Sequence, residues 1–103
     1  MWGTIARMRV RPDVPEEYLQ GQMRAFNTDR MAGWLSTAFY RSDDDPRELW
    51  IVAMFESKES YRANAGSSAQ HAIYLTLRAC MEDDLEWHDV DEVASMSSAP
   101  ASE

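Results

Sequence analysis

The sequence is poor in cysteine and in positive charge, and these two shortages narrow the class of protein to which it can belong. It has one cysteine, Cys80, so no disulfide can form within the chain, which is typical of a reducing compartment. Ten Lys and Arg residues stand against 18 Asp and Glu residues, which gives a net charge of −8. A chain this acidic repels phosphate groups, so neither nucleic acid nor an anionic membrane surface is expected as a partner.

Long apolar runs and several well-known site motifs are also missing. No uncharged apolar stretch approaches the roughly 20 residues of a membrane-spanning helix, and the first residues lack the basic, apolar and small-residue order of a secretory signal. We therefore expect a cytoplasmic protein. There is no phosphate-binding glycine loop, no CxxC pair and no Ser-His-Asp pattern, so nucleotide, dithiol and triad chemistry are not indicated.

What is present is the composition of one small globular domain. The chain has 103 residues, of which 45% are hydrophobic and 27% charged, the balance of an ordinary folded protein. We assign the domain to residues 1–93. Residues 94–103 are mostly Ser, Ala, Pro and Glu, and we predict that they form a disordered tail.

Hydrophobic periodicity predicts elements in the order β-α-β-β-α-β, with the second helix broken. The predicted elements are a strand over 2–11, a helix from Pro15 to about Ala32, strands over 34–41 and 48–56, a helix from Ser57 to about Asn64, a helix from Ser67 to the acidic stretch 82–84, and a strand over 85–91. Gly33 is placed to end the first helix in the left-handed conformation. Ser67 and Gln70 form a capping box for the last helix, whose buried stripe is predicted to be Ala69, Ala72, Ile73, Thr76, Leu77 and Cys80. The order indicates an α+β fold of the ferredoxin-like type with an antiparallel sheet.

The third predicted strand has apolar residues on both of its faces. Leu49, Ile51, Ala53 and Phe55 point one way, and Trp50, Val52 and Met54 point the other way. Both faces must be covered, but the helices of so small a domain cover only one. A second copy of the chain is the simplest cover for the other face, so we expect a homodimer joined through its sheets.

Two segments resemble the antibiotic biosynthesis monooxygenase family. From Met54 to Asn64 the sequence MFESKESYRAN leads from strand to helix through an aromatic residue, an acid and a serine, and GSSAQH at 66–71 supplies a small-residue break before a histidine. With the element order, the likeness extends over residues 2–92. It implies a dimeric α+β barrel, in which two sheets meet face to face, and a ligand pocket between the sheet and the helices of each protomer.

The resemblance also implies a choice of functions. Members of the family include quinone-forming oxygenases without cofactors, haem-degrading enzymes, isomerases and proteins of unknown activity. The first possibility is a monooxygenase that oxidises a small or polycyclic phenol or anthrone-like substrate with no metal, flavin or haem. The alternative is a non-catalytic dimer that binds a small aromatic ligand. Haem degradation is matched less well, because the first strand has no Asn and Asn64 stands where those enzymes have a helical Trp.

His71 is the candidate catalytic residue. It lies near the start of the last helix, where the helix dipole disfavours a protonated imidazole, and a neutral imidazole can take a proton from a phenol. Helical spacing, however, places it off the buried stripe and beside Leu75, so a surface histidine is the competing interpretation. No metal site is predicted, because His88 and Asp89 point to opposite faces of their strand.

The candidate substrate-binding residues are aromatic side chains that could form flat walls and amides that could orient a ligand oxygen. They are Trp34, Tyr40, Trp50, Asn27 and Asn64. The aromatic residues fit a core or a dimer interface equally well, and the amides fit exposed helix positions. Cys80 is interpreted as a small core residue.

Overall fold

One antiparallel sheet carries the described part of the protein, with helices packed on it. The structure, a computed structural model, describes residues 1–25, 33–65 and 68–98, without the side chains of 64, 65, 68–70 and 73. The elements are β1 (Trp2–Arg9), α1 (Glu16–Arg24), β2 (Trp34–Arg41), β3 (Glu48–Phe55), α2 (Lys58–Ala65), α3 (Ser68–Arg78) and β4 (Glu86–Asp91). The strand order is β2-β3-β1-β4. The predicted ferredoxin-like α+β fold is therefore confirmed.

The strand register assigns each strand residue to one of two faces, which we call the helix face and the open face. The helix face comprises Trp2, Thr4, Ala6 and Met8 of β1, Trp34, Thr37, Phe39 and Arg41 of β2, Leu49, Ile51, Ala53 and Phe55 of β3, and Trp87, Asp89 and Asp91 of β4. The open face comprises Gly3, Ile5, Arg7 and Arg9, Ser36, Ala38 and Tyr40, Trp50, Val52 and Met54, and Glu86, His88 and Val90.

The hydrophobic core lies on the helix face. Ala6 and Ile51 belong to a buried cluster with Leu19 of α1 and Leu77 of α3. Full burial of an aliphatic side chain of the size of Leu or Ile contributes roughly 1.5–3 kcal/mol. The helices are therefore held against this face, and the space between sheet and helices can be considered as a site.

The first helix is shorter than predicted. It follows Pro15, whose backbone is extended, and ends at Arg24 instead of near Ala32. Residues 26–32 lie outside the described part. Gly33 has the predicted left-handed conformation, with φ at +79°, and its carbonyl accepts a hydrogen bond of 2.7 Å from the Glu56 N–H.

The starts of the later helices agree with the sequence, but the inner face of α3 does not. Ser57 and Ser60 cap α2 reciprocally, because each side-chain oxygen accepts from the other residue's backbone N–H, at 3.2 and 3.3 Å. In α3 the predicted stripe is wrong at Ala72 and Thr76, which are exposed. Leu77 and Cys80, the latter just beyond the end of α3, are buried as predicted, and Tyr74 packs against the core although the stripe did not include it. Ser67 lies outside the described residues, as do the side chains of Ala69, Gln70 and Ile73.

The arginines of β1 form ion pairs with acidic residues of neighbouring segments. Arg7 bonds Glu48 at 2.8 Å, and Arg9 bridges Asp45 and Glu82. The Arg9 guanidinium holds the pKa of Asp45 below its usual value through a direct hydrogen bond. These arginines thus join the sheet to the turn after β2 and to the segment before β4.

Candidate functional site

A row of small and polar residues crosses the helix face between two rows that contain aromatic residues. This polar row runs, strand by strand, through Asp89, Thr4, Ala53 and Thr37. On one side lie Asp91, Trp2, Phe55 and Trp34, and on the other lie Trp87, Ala6, Ile51 and Phe39. Ala53 and Thr37 stay only half-buried although they lie on the face that carries the core. The polar row is therefore the floor of the candidate site.

Tyr61 of α2 forms one side of this site. Its ring packs against Phe55 at 5.4 Å between centroids and against Trp2 at 6.3 Å. Its hydroxyl donates a 2.8 Å hydrogen bond to Oδ1 of Asp89. The side chain thus lies over the β1 and β4 end of the polar row.

The electrostatics of this end keep Tyr61 in its neutral form. Burial raises the pKa of Tyr61, the bond to Asp89 raises it further, and the Thr4 hydroxyl acts in the opposite direction. Thr4 is 3% exposed and donates to the His88 carbonyl oxygen at 3.3 Å. Because a phenol with a raised pKa stays protonated at neutral pH, Tyr61 remains a donor to Asp89.

The indole N–H of Trp2 is a hydrogen-bond donor that lies near Tyr61 and is not used among the described residues. Its Nε1 is buried and has no hydrogen-bond acceptor within the part of the chain that the structure describes. The Lys58 ammonium lies 4.9 Å from the centroid of the same ring. A buried N–H without an acceptor costs about 1–3 kcal/mol, so a water or ligand oxygen is expected to meet it.

Trp34 is fixed at the other end of the row. Its Nε1 donates to Oγ1 of Thr37 at 2.8 Å. Since the two residues come from the irregular start of β2, this bond holds the indole next to the polar row. Of the predicted substrate-binding aromatics, Trp34 is the one that the structure places on the helix face.

Tyr40 and Trp50 lie on the open face, directly opposite each other in the register. Tyr40 is 58% exposed, and the Trp50 Nε1 donates to Glu48 at 3.3 Å. The thickness of the sheet thus separates them from Trp34. Asn27 lies outside the described residues, and of Asn64 only the backbone, near the end of α2, is described.

His71 is exposed on α3 and is joined to the sheet through aromatic rings. Its ring stacks on Tyr74 with centroids 6.2 Å apart, and Tyr74 lies 6.2 Å from Trp87. Trp87 borders the polar row on β4. The predicted base is therefore near the β4 end of the helix face, two ring contacts away from the row.

Sequence reasoning did not identify the Tyr61–Asp89 pair. The usable signal was the alternation of β1, which places Thr4 on the same face as buried Ala6 and Met8. A hydroxyl in such a row is a candidate for ligand contact. The partners from α2 and β4 are 28 residues apart in the chain, so no local spacing links them.

The remaining candidates for metal or nucleophilic chemistry have ordinary surroundings. Among the described residues, no group of three or more His, Cys, Asp and Glu side chains is arranged to hold a metal ion. His88 is exposed and bonds Glu86 at 2.9 Å. Cys80 is buried, as predicted, and burial raises the pKa of its thiol. No helix in the described ranges is long and apolar enough to cross a membrane.

Comparison with known proteins gives a family match and a set of similar folds. Residues 1–74 match the family model described as "Antibiotic biosynthesis monooxygenase". No curated protein matches the chain.

Three solved structures illustrate the shared fold. SnoaB, a cofactor-independent oxygenase from Streptomyces nogalater, is 13% identical with a TM-score of 0.79, over 94% of this chain and 97% of that one. Rv0793 from Mycobacterium tuberculosis is 19% identical with a TM-score of 0.73, over 93% and 98%. A conserved protein from Methanosarcina mazei Go1 is 16% identical with a TM-score of 0.73, over 86% and 89%. At these identities the likeness establishes the fold.

Proposed function

Because this chain belongs to the antibiotic biosynthesis monooxygenase family, we propose that it is a cofactor-independent monooxygenase acting on a flat phenol or anthrone-like aromatic. The observation that carries the proposal is the polar row, a strip of small and polar side chains between aromatic ones. A flat ligand over Ala53 would have rings on both sides and hydroxyls at both ends. This is the mixture of apolar walls and a few polar groups that small-molecule sites use.

The proposed chemistry needs little from the protein. An anthrone-like substrate supplies the electrons: its CH₂ group becomes a carbonyl with one atom of O₂, and the other atom leaves as water. No further reductant is required. The protein has to remove a proton from the substrate, hold it in a fixed orientation and exclude water.

His71 is the proposed base. Its position beside Tyr74 and Trp87 places it at the β4 end of the helix face, and a neutral imidazole would take the substrate proton and pass it to solvent. Trp34 would form one wall. Asn64, near the end of α2, and Asn27 are proposed to orient a substrate oxygen.

We further propose a homodimer formed through the open face. Ile5, Val52 and Met54 are half-buried there, and none of the described helices packs on that side of the sheet. A stable interface buries about 800 Å² per partner. In such a dimer Tyr40 and Trp50 would lie in the interface, and they would contact substrate only if the pocket reached it.

Oxygen consumption with anthrone tests the enzymatic proposal. General-base catalysis contributes roughly 10²–10⁴-fold to rate, so His71→Ala is expected to reduce consumption at least tenfold. The control is His88→Ala, which removes the imidazole on the open face and should leave the rate unchanged. Equal loss in both variants, or no loss in either, would contradict the role of His71.

The alternative function is binding without turnover. If the wild-type protein consumes no oxygen over a panel of anthrones and phenols yet binds one of them, the protein is a ligand-binding dimer. Calorimetric titration with the same panel separates the two functions. Added haem that gives no sharp Soret shift would argue against a haem-dependent activity.

A further inference from the structure

The hydroxyl protons at one end of the polar row are all directed to acceptors of the protein. Tyr61 donates to Oδ1 of Asp89 at 2.8 Å, and Thr4 donates to the His88 carbonyl oxygen at 3.3 Å. A hydroxyl whose proton is engaged still has lone pairs on its oxygen. This end of the site can therefore accept a hydrogen bond from a bound molecule, whereas it has no hydroxyl proton to offer one.

Asp89 is the reason that the Tyr61 hydroxyl at this end of the site can accept a hydrogen bond from a ligand but cannot donate one. An ionised carboxylate only accepts hydrogen bonds, so a phenol within 2.8 Å of it must donate. Burial and the contact with Asp89 both raise the pKa of Tyr61, so the phenol keeps its proton throughout the neutral range. The bond to a charged acceptor also makes the Tyr61 oxygen a better acceptor in its turn, because linked hydrogen bonds polarise one another.

We propose that Tyr61 and Asp89 set the ligand specificity of the pocket: the Tyr61 oxygen accepts a hydrogen bond from an aromatic hydroxyl and so selects phenols over the corresponding ethers. The inference rests on the proposed function, since it uses the same pocket. Tyr61 contacts the ligand, and Asp89 acts through Tyr61 as a positioning residue. The Trp2 indole N–H can meet the oxygen of either compound, but an ether has no proton for the Tyr61 oxygen, whose lone pairs then receive no hydrogen bond from the ligand.

Calorimetric titration with naphthol and with its methyl ether measures this selection directly. We expect the wild-type protein to bind naphthol about tenfold more tightly, which corresponds to about 1.4 kcal/mol. Tyr61→Phe should reduce the ratio of the two dissociation constants to near one. Asp89→Asn should do the same, because the Asn amide can donate to Tyr61 and release the Tyr61 proton toward an ether oxygen.

The matched control is Asp91→Asn. Asp91 lies on the same strand and the same face, two residues from Asp89, but its register neighbour is Trp2. It should keep the tenfold preference. The ratio of the two affinities is less sensitive to a general loosening of the fold than either affinity alone, and comparing the ratio in Asp89→Asn with that in Asp91→Asn cancels the bulk of the methyl group, which is the same in both measurements.

The outcomes separate this inference from the proposed function. Equal binding of naphthol and its ether by the wild-type protein, or an unchanged preference in Tyr61→Phe, would overturn the inference and leave the pocket in place. If neither compound bound the wild-type protein, the pocket itself would be contradicted. A lost preference in both Tyr61→Phe and Asp89→Asn, kept in Asp91→Asn, would establish the selection.

Discussion

The two faces of the sheet are built from alternating residues of the same strands, yet they differ in what covers them. Ile51 on the helix face is 1% exposed, while its neighbour Val52 on the open face is only half-buried. Both residues are β-branched and apolar, so composition does not distinguish them. The comparison teaches that one strand can present a buried row to the core and a half-buried apolar row to the opposite face, because successive side chains point to opposite sides of the sheet.

The largest effect is expected from a cavity on the helix face. Ile51→Ala should reduce the free energy of unfolding by about 2–5 kcal/mol, because the core around a fully buried residue collapses only partly. Urea denaturation at a fixed protein concentration measures the loss. The matched variant is Val52→Ala, which should lose clearly less. Equal losses at the two positions would show that the faces are covered alike.

A charge on the open face should break association while leaving the fold intact. Val52→Asp places a carboxylate between Ile5 and Ala38, and burying it in an apolar interface is strongly unfavourable. Sedimentation is expected to give a monomer of 11.8 kDa for the variant and twice that mass for the wild type. Val93→Asp is the control, since Val93 is 95% exposed. A monomeric wild type at micromolar concentration would contradict the dimer.

A smaller effect is expected from removing the residues that follow the last strand. Residues 94–98 are exposed and have no regular structure, so they add little to either face. Truncation after Val93 should shift the melting temperature by no more than a few degrees, as measured by differential scanning calorimetry. A large decrease would mean that the segment covers part of the open face.

The smallest effect on stability is expected at the polar edge of the open face, where Arg9 forms an ion pair with Asp45. Arg9 lowers the pKa of Asp45. The contact therefore stabilises the fold at pH values above the pKa of this carboxyl group in the unfolded chain, which is about 3.9. The stabilisation is lost as the pH falls below that value and through the lower pKa of the folded state. Arg9→Gln should therefore lower the melting temperature slightly at pH 7 and not at all near pH 2. Arg62→Gln, at an exposed position of α2, is the control. A difference that persists at low pH would assign the effect to packing.

Local signals were sufficient for much of the fold. The strand over 34–41 was predicted with its observed bounds, and the alternation in β3 correctly divided its residues between two faces. The end of α1 was predicted near Ala32, whereas the helix ends at Arg24. The stripe of the last helix was right at Leu77 and Cys80 and wrong at Ala72 and Thr76, and it missed Tyr74, whose ring contacts Trp87 of the sheet.

The candidate site was less accessible from sequence. Strict alternation places Trp34 and Tyr40 on the same face of β2, but the irregularity between Trp34 and Ser36 shifts the register and puts them on opposite faces. Alternation also does not show which face of a strand the helices cover. The polar row depends on the register of all four strands, which long-range pairing determines. The same is true of the bond between Tyr61 and Asp89.

The burial of Cys80 has a practical consequence for spectroscopy. It is the single cysteine of the chain, it is 2% exposed, and its raised thiol pKa disfavours the reactive thiolate. A maleimide reagent should therefore leave the native protein unlabelled. A cysteine introduced at Asp43, in the exposed turn between β2 and β3, would then carry one spin label per protomer, so that electron–electron distances across the assembly could be measured without first removing a native thiol.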